Sequence, residues 1–541
     1  MTVASLALLL AAAQSNPLPP ESQGAPLIID QGRADRAQPM LPPPALKPDD
    51  QTTVATQLST VDARGVETPI KGIAFEGVKV PAPVAEAASG FLGHPATRAT
   101  LEALAAKLSI AYERTGIALY TIAIPDQDLS SGHIRVTVAE GFIEDIVYPK
   151  GASPLIHAYG ERLRQERPLT RRTLERTLSL MRDIPGAKID ADLQRGKQAG
   201  GVVIVITPRR RHSDFALGVD NRATQGLGSG QFRGEAHGYS LLRDGDRTDL
   251  TLLSATDLRR FRYAALAHAT PLGADGLSLA LSGGYLETRP SDQPVRGEAA
   301  TAGLSLSYPI IRGYRRNLSM SIGLDGINSD AAAFGALISS DHMRAARLAV
   351  GYSSVAKETV TTAGATITRG LGILGARGTP GFTDTVFTKA NARATIDRAL
   401  GKRIVARLRA SGQWSRDRLT ASERFAVGGS EFGRAFDAAI LSGDSGFAGL
   451  GELAIRPKLP ADWNGSELYG FIDGARIYIN ERLPYAAADY GLASAGGGVR
   501  LSYAGKASLE IEGAKVIDHP YPTDRSDWRV NLAWRLALRK P

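Results

Sequence analysis

The chain contains no cysteine. That absence excludes a disulfide scaffold, thiol catalysis and any cysteine-ligated zinc or iron–sulfur centre. Long hydrophobic runs are missing too: the longest, Leu6 to Ala13, falls far short of the roughly 20 residues a membrane-spanning helix needs. The 8 histidines are scattered without ligand spacing, so no metal site is expected. There is no H-E-x-x-H, no G-x-S-x-G and no phosphate-binding G-x-x-x-x-G-K-S/T. One match to G-x-G-x-x-G, Gly370 to Gly375, is followed by Gly378, Pro380 and Gly381 and not by a helix. A dinucleotide site needs the strand–turn–helix context, so no cofactor is expected and the chain does not read as an enzyme. An enzyme built into a barrel lumen would still need its own nucleophile or acid–base group. The net charge of +9 is spread along alternating segments and not clustered with aromatics, which argues against nucleic acid as a partner.

What is present is length and alternation. At 541 residues several domains are expected. The first residues, MTVASLALLLAAAQS, have the apolar core and small-residue end of a secretory signal over 1–14. Residues 15–68 form a Pro-rich linker, with a short helix expected at 27–38. Two α+β modules follow in tandem, over 69–142 and 143–208. In the first, Leu101, Leu104, Ala105, Leu108 and Tyr112 share one helical face, with Thr97 as N-cap and Gly116 as the stop. In the second, helices are expected at 152–165 and 170–182, with Pro185-Gly186 as the break.

From 209 to 541, after the basic run Arg209, Arg210 and Arg211, the texture is strand after strand. About 16 strands are expected, many of ten residues or more, against about 5–6 in soluble proteins and about 9–11 for a tilted membrane strand. In the last, Trp528, Val530, Leu532, Trp534, Leu536 and Leu538 fall on one face, and Arg529, Asn531, Ala533, Arg535, Ala537 and Arg539 on the other. An apolar outside and a charged inside fit a transmembrane β-barrel with lipid around it and a polar lumen. A large soluble sandwich or propeller would explain the alternation but not the strand length. Arg407, Arg409, Arg529 and Arg535 are expected to line the lumen.

One long loop, 415–446, interrupts the barrel. Loops of this length are functional or disordered, and its apolar and aromatic content predicts packing. Folded into the lumen, Arg434 at its centre would seek a carboxylate. Asp473 follows on a strand, between Gly470 and Gly474, whose glycines mark a close approach.

These residues carry a resemblance. The chain resembles the outer-membrane transporters of two-partner secretion, of the hemolysin-activator and filamentous-hemagglutinin transporter type (the ShlB/FhaC/HecB family), in the superfamily of the BamA barrel-assembly proteins. The family's V-R-G-F/Y loop tip, after a Gly-Gly turn and before G-D-x-G, is matched by Gly428-Gly429, Gly433-Arg434-Ala435-Phe436 and Gly443-Asp444-Ser445-Gly446. Glu452-Leu453 stands where the family's next strand has Glu-Leu, and Phe471-Ile-Asp473-Gly474 matches its F-x-D-x-G strand, with glycine one position early. The signature of its N-terminal module, the POTRA domain, is matched by Tyr112, Gly116, Pro125, Gln127, Leu129, Gly132, Glu140 and Gly141. The family's Val and Gly in the tetrad are here Gly433 and Ala435.

The resemblance implies a 16-stranded outer-membrane barrel preceded by two periplasmic POTRA modules, an Arg434–Asp473 bridge holding the loop as a gate, and a plug helix at 27–38. It implies a pore that translocates a large secreted β-helical exoprotein captured by the POTRA modules. The other partners would be outer-membrane lipid and the barrel-assembly machinery. The alternatives are a BamA/TamA-like insertase and a plain diffusion porin.

Overall fold

The computed structural model describes residues 68–539, except 224–225, 229, 292–294, 335, 483 and 522–526. The expected signal, most of the linker and the helix at 27–38 lie outside the described residues.

The first module runs β1 (Gly72–Glu76), α1 (Ala82–Ser89), α2 (Arg98–Glu113), β2 (Tyr120–Ala123) and β3 (His133–Glu140). Its sheet order is β1-β3-β2, with β1 parallel and β2 antiparallel to β3. Helix α2 forms where the 3.6-residue period puts Leu101, Leu104, Ala105, Leu108 and Tyr112 on one buried face. The Thr97 side chain accepts the Thr100 N–H at its start. That face packs on Ile134, Val136 and Val138 of β3. Helix α1 went unannounced in the sequence because it is short and built largely of alanine, opening after Pro81.

The second module repeats the order: β4 (Phe142–Val147), α3 (Pro154–Gln165), α4 (Arg171–Arg182), β5 (Ala187–Arg195) and β6 (Gly201–Arg210), with sheet order β4-β6-β5. The internal repeat is therefore one of topology, and each module presents a short strand, β2 or β5, at a sheet edge.

The rest is a closed antiparallel barrel. Its first strands are β7 (Ser213–Asp220), β8 (Gln231–Tyr239), β9 (Arg247–Ala255), β10 (Phe261–Pro271), β11 (Ser278–Thr288) and β12 (Val295–Arg312). Then come β13 (Arg316–Ala333), β14 (Ala336–Val355), β15 (Thr359–Gly370), β16 (Thr388–Ala399) and β17 (Ile404–Ser415). After a loop holding the short pair β18 (Phe425–Val427) and β19 (Leu441–Gly443), the ring continues with β20 (Ser445–Ile455), β21 (Glu467–Ile479), β22 (Ala488–Tyr503), β23 (Ala507–Asp518) and β24 (Trp528–Arg539). Strand β24 closes on β7, with Ala533 opposite Asp220 and Arg539 opposite Asp214. Closure satisfies every strand edge, which a lipid environment requires.

The alternation reads as expected: Trp528, Val530, Leu532, Trp534 and Leu538 are exposed on the outer wall, where lipid would cover them. Strands β12 to β14 are longer than the spacing predicts. The sequence suggests breaks near 309–315 and 327–342, yet β13 and β14 stay paired to Ala333 opposite Ala336. The stretch SDAAAF is too rich in alanine to show a period, and it takes its structure from its partner strand. Gly370 to Gly375 ends β15 and enters a loop, with no helix after it.

The second module docks under the near end of the barrel, on the turns that end β8, β10 and β12. Arg312 forks onto Asp183 at 2.6 Å, and Arg176 donates to the carbonyl oxygens of Pro309 (2.7 Å) and Asp275 (2.9 Å). Asp244 accepts the Leu155 N–H at 2.9 Å and Arg210 at 2.8 Å. Burial pushes the Asp244 carboxyl up, but the Leu155 amide, Arg210 and Ser153 outweigh it and hold it below the ordinary carboxylate range. Burial likewise raises Asp275, and Tyr308, Arg162 and Arg176 together bring it below that range. A carboxylate with a lowered value in the docked state favours docking above its free value and stops doing so as pH falls through the lowered one. Docking is therefore expected to hold at neutral pH and to weaken below about pH 4, near the free carboxylate value. Hydrogen exchange across 153–155 and 240–246 should rise several-fold in that window and shift less in Asp244→Asn. Exchange that is flat down to pH 3 would refute this.

Candidate functional site

The loop between β17 and β20 does not lie outside the barrel. It folds back into the lumen, where most of 419–444 is buried and only Ser430 and Glu431 are exposed. Strands β18 and β19 pair as a short ribbon, Phe425 opposite Gly443 and Val427 opposite Leu441, and carry the tip across. Gly428, Gly429 and Gly433 all have positive φ (107°, 94° and 75°), which a side chain at these turns would oppose. Phe425, Val427, Phe432, Ala435, Phe436 and Leu441 pack against Leu450, Tyr469, Phe471, Ile477 and Leu492 of the barrel wall. A lumen that would otherwise hold water thus contains an apolar core along one side.

Arg434 stands at the tip and is 3% exposed. Its backbone N–H donates to Asp473 Oδ2 at 3.2 Å, and its carbonyl accepts Asn531 Nδ2 at 2.9 Å. Its guanidinium reaches past Asp473 to Glu452 Oε2 (3.2 Å) on β20 and Glu512 Oε2 (3.0 Å) on β23. The same guanidinium lies over the Phe471 ring, 4.5 Å from its centre. The two expected residues meet, but the expected ion pair between them is corrected: no Arg434–Asp473 bridge occurs among the described residues. Asp473 accepts from Ser494 Oγ (2.5 Å) and from the Arg434 amide. With its backbone seated there, the long Arg434 side chain projects to the acids beyond. Gly474, the neighbour of Asp473, sits in β21 opposite Ala493.

The two acids belong to a wider cluster. Glu452 also accepts Arg407 (2.8 Å) and Arg500 (2.7 and 2.8 Å), and Glu512 accepts Tyr469 (2.8 Å) and Asn531 (3.0 Å). Arg407 is thereby held in place and is not a loose lining charge, and Arg529 is tied to Asp437 of the loop. Arg535 pairs with Glu235 across the barrel seam at 2.8 Å.

The stem of the loop is pinned at the far end of the barrel. Asp444 is fully buried. Its Oδ1 accepts the Leu419 N–H (2.8 Å) and its Oδ2 the Asn480 N–H (2.8 Å), while Arg482 forks onto both oxygens (2.8 and 2.6 Å). Arg482 also donates to the carbonyl oxygens of Phe382 (2.9 Å) and Leu419 (3.3 Å), so one guanidinium ties three far-end loops together. Gly443 and Gly446 fit because nothing larger would. A Cβ would lie 2.6 Å from the Tyr478 oxygen at Gly443, and 2.6 Å from the Phe425 ring at Gly446.

The signature residues of the first module are not near this loop. Tyr112 is buried, donates to Glu140 at 3.3 Å and stacks on Tyr120. Burial, then Glu140, raises its hydroxyl pKa. Gln127 donates to the Arg135 carbonyl (2.9 Å) and accepts the Arg135 N–H (2.7 Å), so an amide side chain continues the β3 ladder beyond the end of β2. It also donates to the carbonyl of Pro125 at 3.2 Å. Leu129 is in the core, Gly116 follows α2, Gly132 closes a turn against Pro69, and Gly141 donates to Leu119 at the module junction. These residues build the module; none lies in the lumen.

Sequence reasoning missed Glu512, Ser494, Asn531 and Arg482. Glu510 and Glu512 are spaced as lumen residues, but only the register of β21 to β24 brings one of them to Arg434.

A family model described as haemolysin secretion/activation protein ShlB/FhaC/HecB matches residues 200–501. A POTRA domain of ShlB type matches residues 68–141. The outer membrane transporter CdiB of Escherichia coli O6:K15:H31 (strain 536 / UPEC) is 23% identical over 363 residues, covering 62% of this chain and 60% of its own length. The match thus spans about three fifths of that relative. Among solved structures, CdiB from Escherichia coli superposes with a TM-score of 0.74 at 19% identity, covering 90% of this chain and 93% of that one. CdiB from Acinetobacter baumannii gives a TM-score of 0.64 at 18% identity, covering 89% and 92%. At these identities the structures establish a shared fold.

Proposed function

Because the chain belongs to the haemolysin secretion/activation family ShlB/FhaC/HecB, we propose that it is an outer-membrane pore that recognises a large secreted β-helical exoprotein and passes it to the cell surface. The barrel sits in the outer membrane and the modules lie in the periplasm, so the docked end of the barrel is periplasmic and the loop stem extracellular.

The observation that carries this reading is the joining of edge-presenting modules to a closed barrel whose lumen holds its own loop. Strands β2 and β5 lie at sheet edges, where an extended client can add a strand by backbone hydrogen bonds. The tip of the loop occupies the side of the lumen formed by β20 to β24. The opposite wall, β11 to β15, turns small hydroxyl side chains inward, such as Ser282, Thr301, Ser305, Ser321, Thr362 and Thr366, each next to an outward apolar residue or alanine. Away from the Arg347–Asp325 pair, such a wall offers hydrogen bonds to a passing backbone with little charge to hold it. The lumen serves as a conduit and not as an active site, and folding of the client outside would bias movement outward.

An insertase would share the fold, but the family match and the two modules favour secretion. The test is deletion of the first module. The expected result is loss of binding to a secreted β-repeat exoprotein client, with pore conductance kept. Binding that survives would move capture elsewhere. An intact chain that neither binds nor releases such a client would overturn the function.

A further inference from the structure

Glu423 lies at the opposite end of the loop from Arg434, closing the short turn Ala421–Glu423, and is 1% exposed. Arg347 of β14 donates to its carboxylate at 2.8 and 3.3 Å, while holding Asp325 of β13 at 2.5 and 3.0 Å. Lys389 of β16 sits 2.9 Å from the same carboxylate and donates to the Glu423 carbonyl at 2.6 Å. Gln413 of β17 donates to that carbonyl at 3.0 Å. Two acids and two bases thus form a charge-balanced cluster, and all four side chains are at most 9% exposed. Three of the groups belong to the barrel wall and one to the loop.

Strand β14 stands eight steps round the ring of 16 from β24. The two clusters meet at β17, which supplies Gln413 to one and Arg407 to the other, and they spread from it in opposite directions, to β13 and to β24. A loop held only by the arc β20 to β24 would need no buried ion pair on β14.

We propose that Glu423 is a second positioning residue of the loop, fixing its stem to the arc β13 to β17 while Arg434 fixes its tip to β20 to β24, so that the loop is a strut held between two arcs of the wall and both ends must release before a chain can pass. The strut rests on the conduit reading for its use, but the anchoring requires no client. Release at one end alone leaves the tip or the stem in the path. An entering polypeptide must supply interactions that replace both clusters, and loosening either one raises the chance that both are released together.

The test uses the full-length protein in planar lipid bilayers, with no client present. Glu423→Gln and Arg347→Gln are each expected to raise the frequency of open states by on the order of ten-fold, because each leaves a buried charge without its partner. The double variant should fall short of the combined effect of the singles, since both remove the Arg347–Glu423 pair. A second arm exploits the cysteine-free sequence. Ser422→Cys, at a buried position, should react slowly with an impermeant maleimide and several-fold faster when Arg347→Gln is added. Arg347→Gln leaves the loop sequence intact, and the heat-dependent gel shift of a folded barrel reports any folding loss. Unchanged opening and unchanged labelling in a folded Arg347→Gln barrel would overturn the proposal. Altered opening in a chain that secretes no client would leave the anchor standing and remove only the secretion reading.

Discussion

Arg434→Ala is expected to leave a folded, inserted barrel that secretes its client at least ten-fold less. Removing one member of a buried ion pair costs about 3–5 kcal/mol when the partner is left alone. Here the partners are not alone: Glu452 keeps Arg407 and Arg500, and Glu512 keeps Tyr469 and Asn531. The wall therefore stays satisfied, and the loss falls on the loop. Its tip keeps the amide contact to Asp473, the carbonyl contact to Asn531, the Asp437–Arg529 and Glu431–Arg393 pairs at its flanks and its apolar packing, but loses its ion pairs with Glu452 and Glu512 of the wall. Arg434→Lys should fail almost as badly, because a lysine is a point charge that cannot span two acids and stack on Phe471 together. Asp473→Asn should be milder, since an amide oxygen can still accept the Arg434 N–H. The measurement is client in the culture medium against barrel in the outer membrane. Full secretion by Arg434→Ala would remove the loop tip from the mechanism, and a defect in Asp473→Asn larger than in Arg434→Ala would restore the direct bridge that the geometry lacks.

Asp444→Ala is expected to act on the extracellular mouth. Its two oxygens satisfy two backbone amides and both forks of Arg482, which is 1% exposed. Without that carboxylate a buried guanidinium loses its counter-charge, again at about 3–5 kcal/mol. The stem of the re-entrant loop then opens, and the loops carrying Phe382 and Asn480 lose their common tie. The expected readouts are a clearly lower unfolding temperature and entry of large antibiotics that the intact outer membrane excludes. Arg482→Ala should reproduce both, and the double variant should add little because the pair acts as one unit. A barrel as tight and as heat-stable as the parent would show that the stem holds without its clasp.

The barrel was legible because lipid imposes a rule that sequence obeys residue by residue. Alternation such as Trp528 to Leu538 has no other economical reading, and closure follows from the need to satisfy edges. The extents of β12 to β14 were less legible, because alanine-rich pairing carries no period. The loop was visible as a gap in the strand pattern, and Arg434 as the one basic residue at its centre, between Glu431 and Asp437. What the sequence could not supply is register. Arg434 meets Glu512 because β23 stands two places from β21 at a particular stagger, and Glu423 meets Arg347 because the loop, on leaving β17, turns back inside the lumen toward β14. Neither relation leaves a local trace. The Arg434–Asp473 pairing went wrong for a related reason: proximity was inferred correctly, but which atoms of Arg434 do the meeting depends on where its backbone is already fixed.

The length of β14 reaches beyond the bilayer. At about 3.3 Å per residue and a tilt near 45°, its 20 residues rise roughly 47 Å, whereas the apolar band of such barrels is about 25 Å tall. The outward residues of β13 change from Met320, Ile322 and Leu324 to Gly326, Asn328 and Asp330 toward the extracellular end, so the excess stands outside. About 20 Å of paired ribbon, ending near the exposed Phe334, rises among the surface sugars like a mast. This hairpin, the longest pairing among the described residues, is a surface that an antibody or a phage approaching the cell could grip.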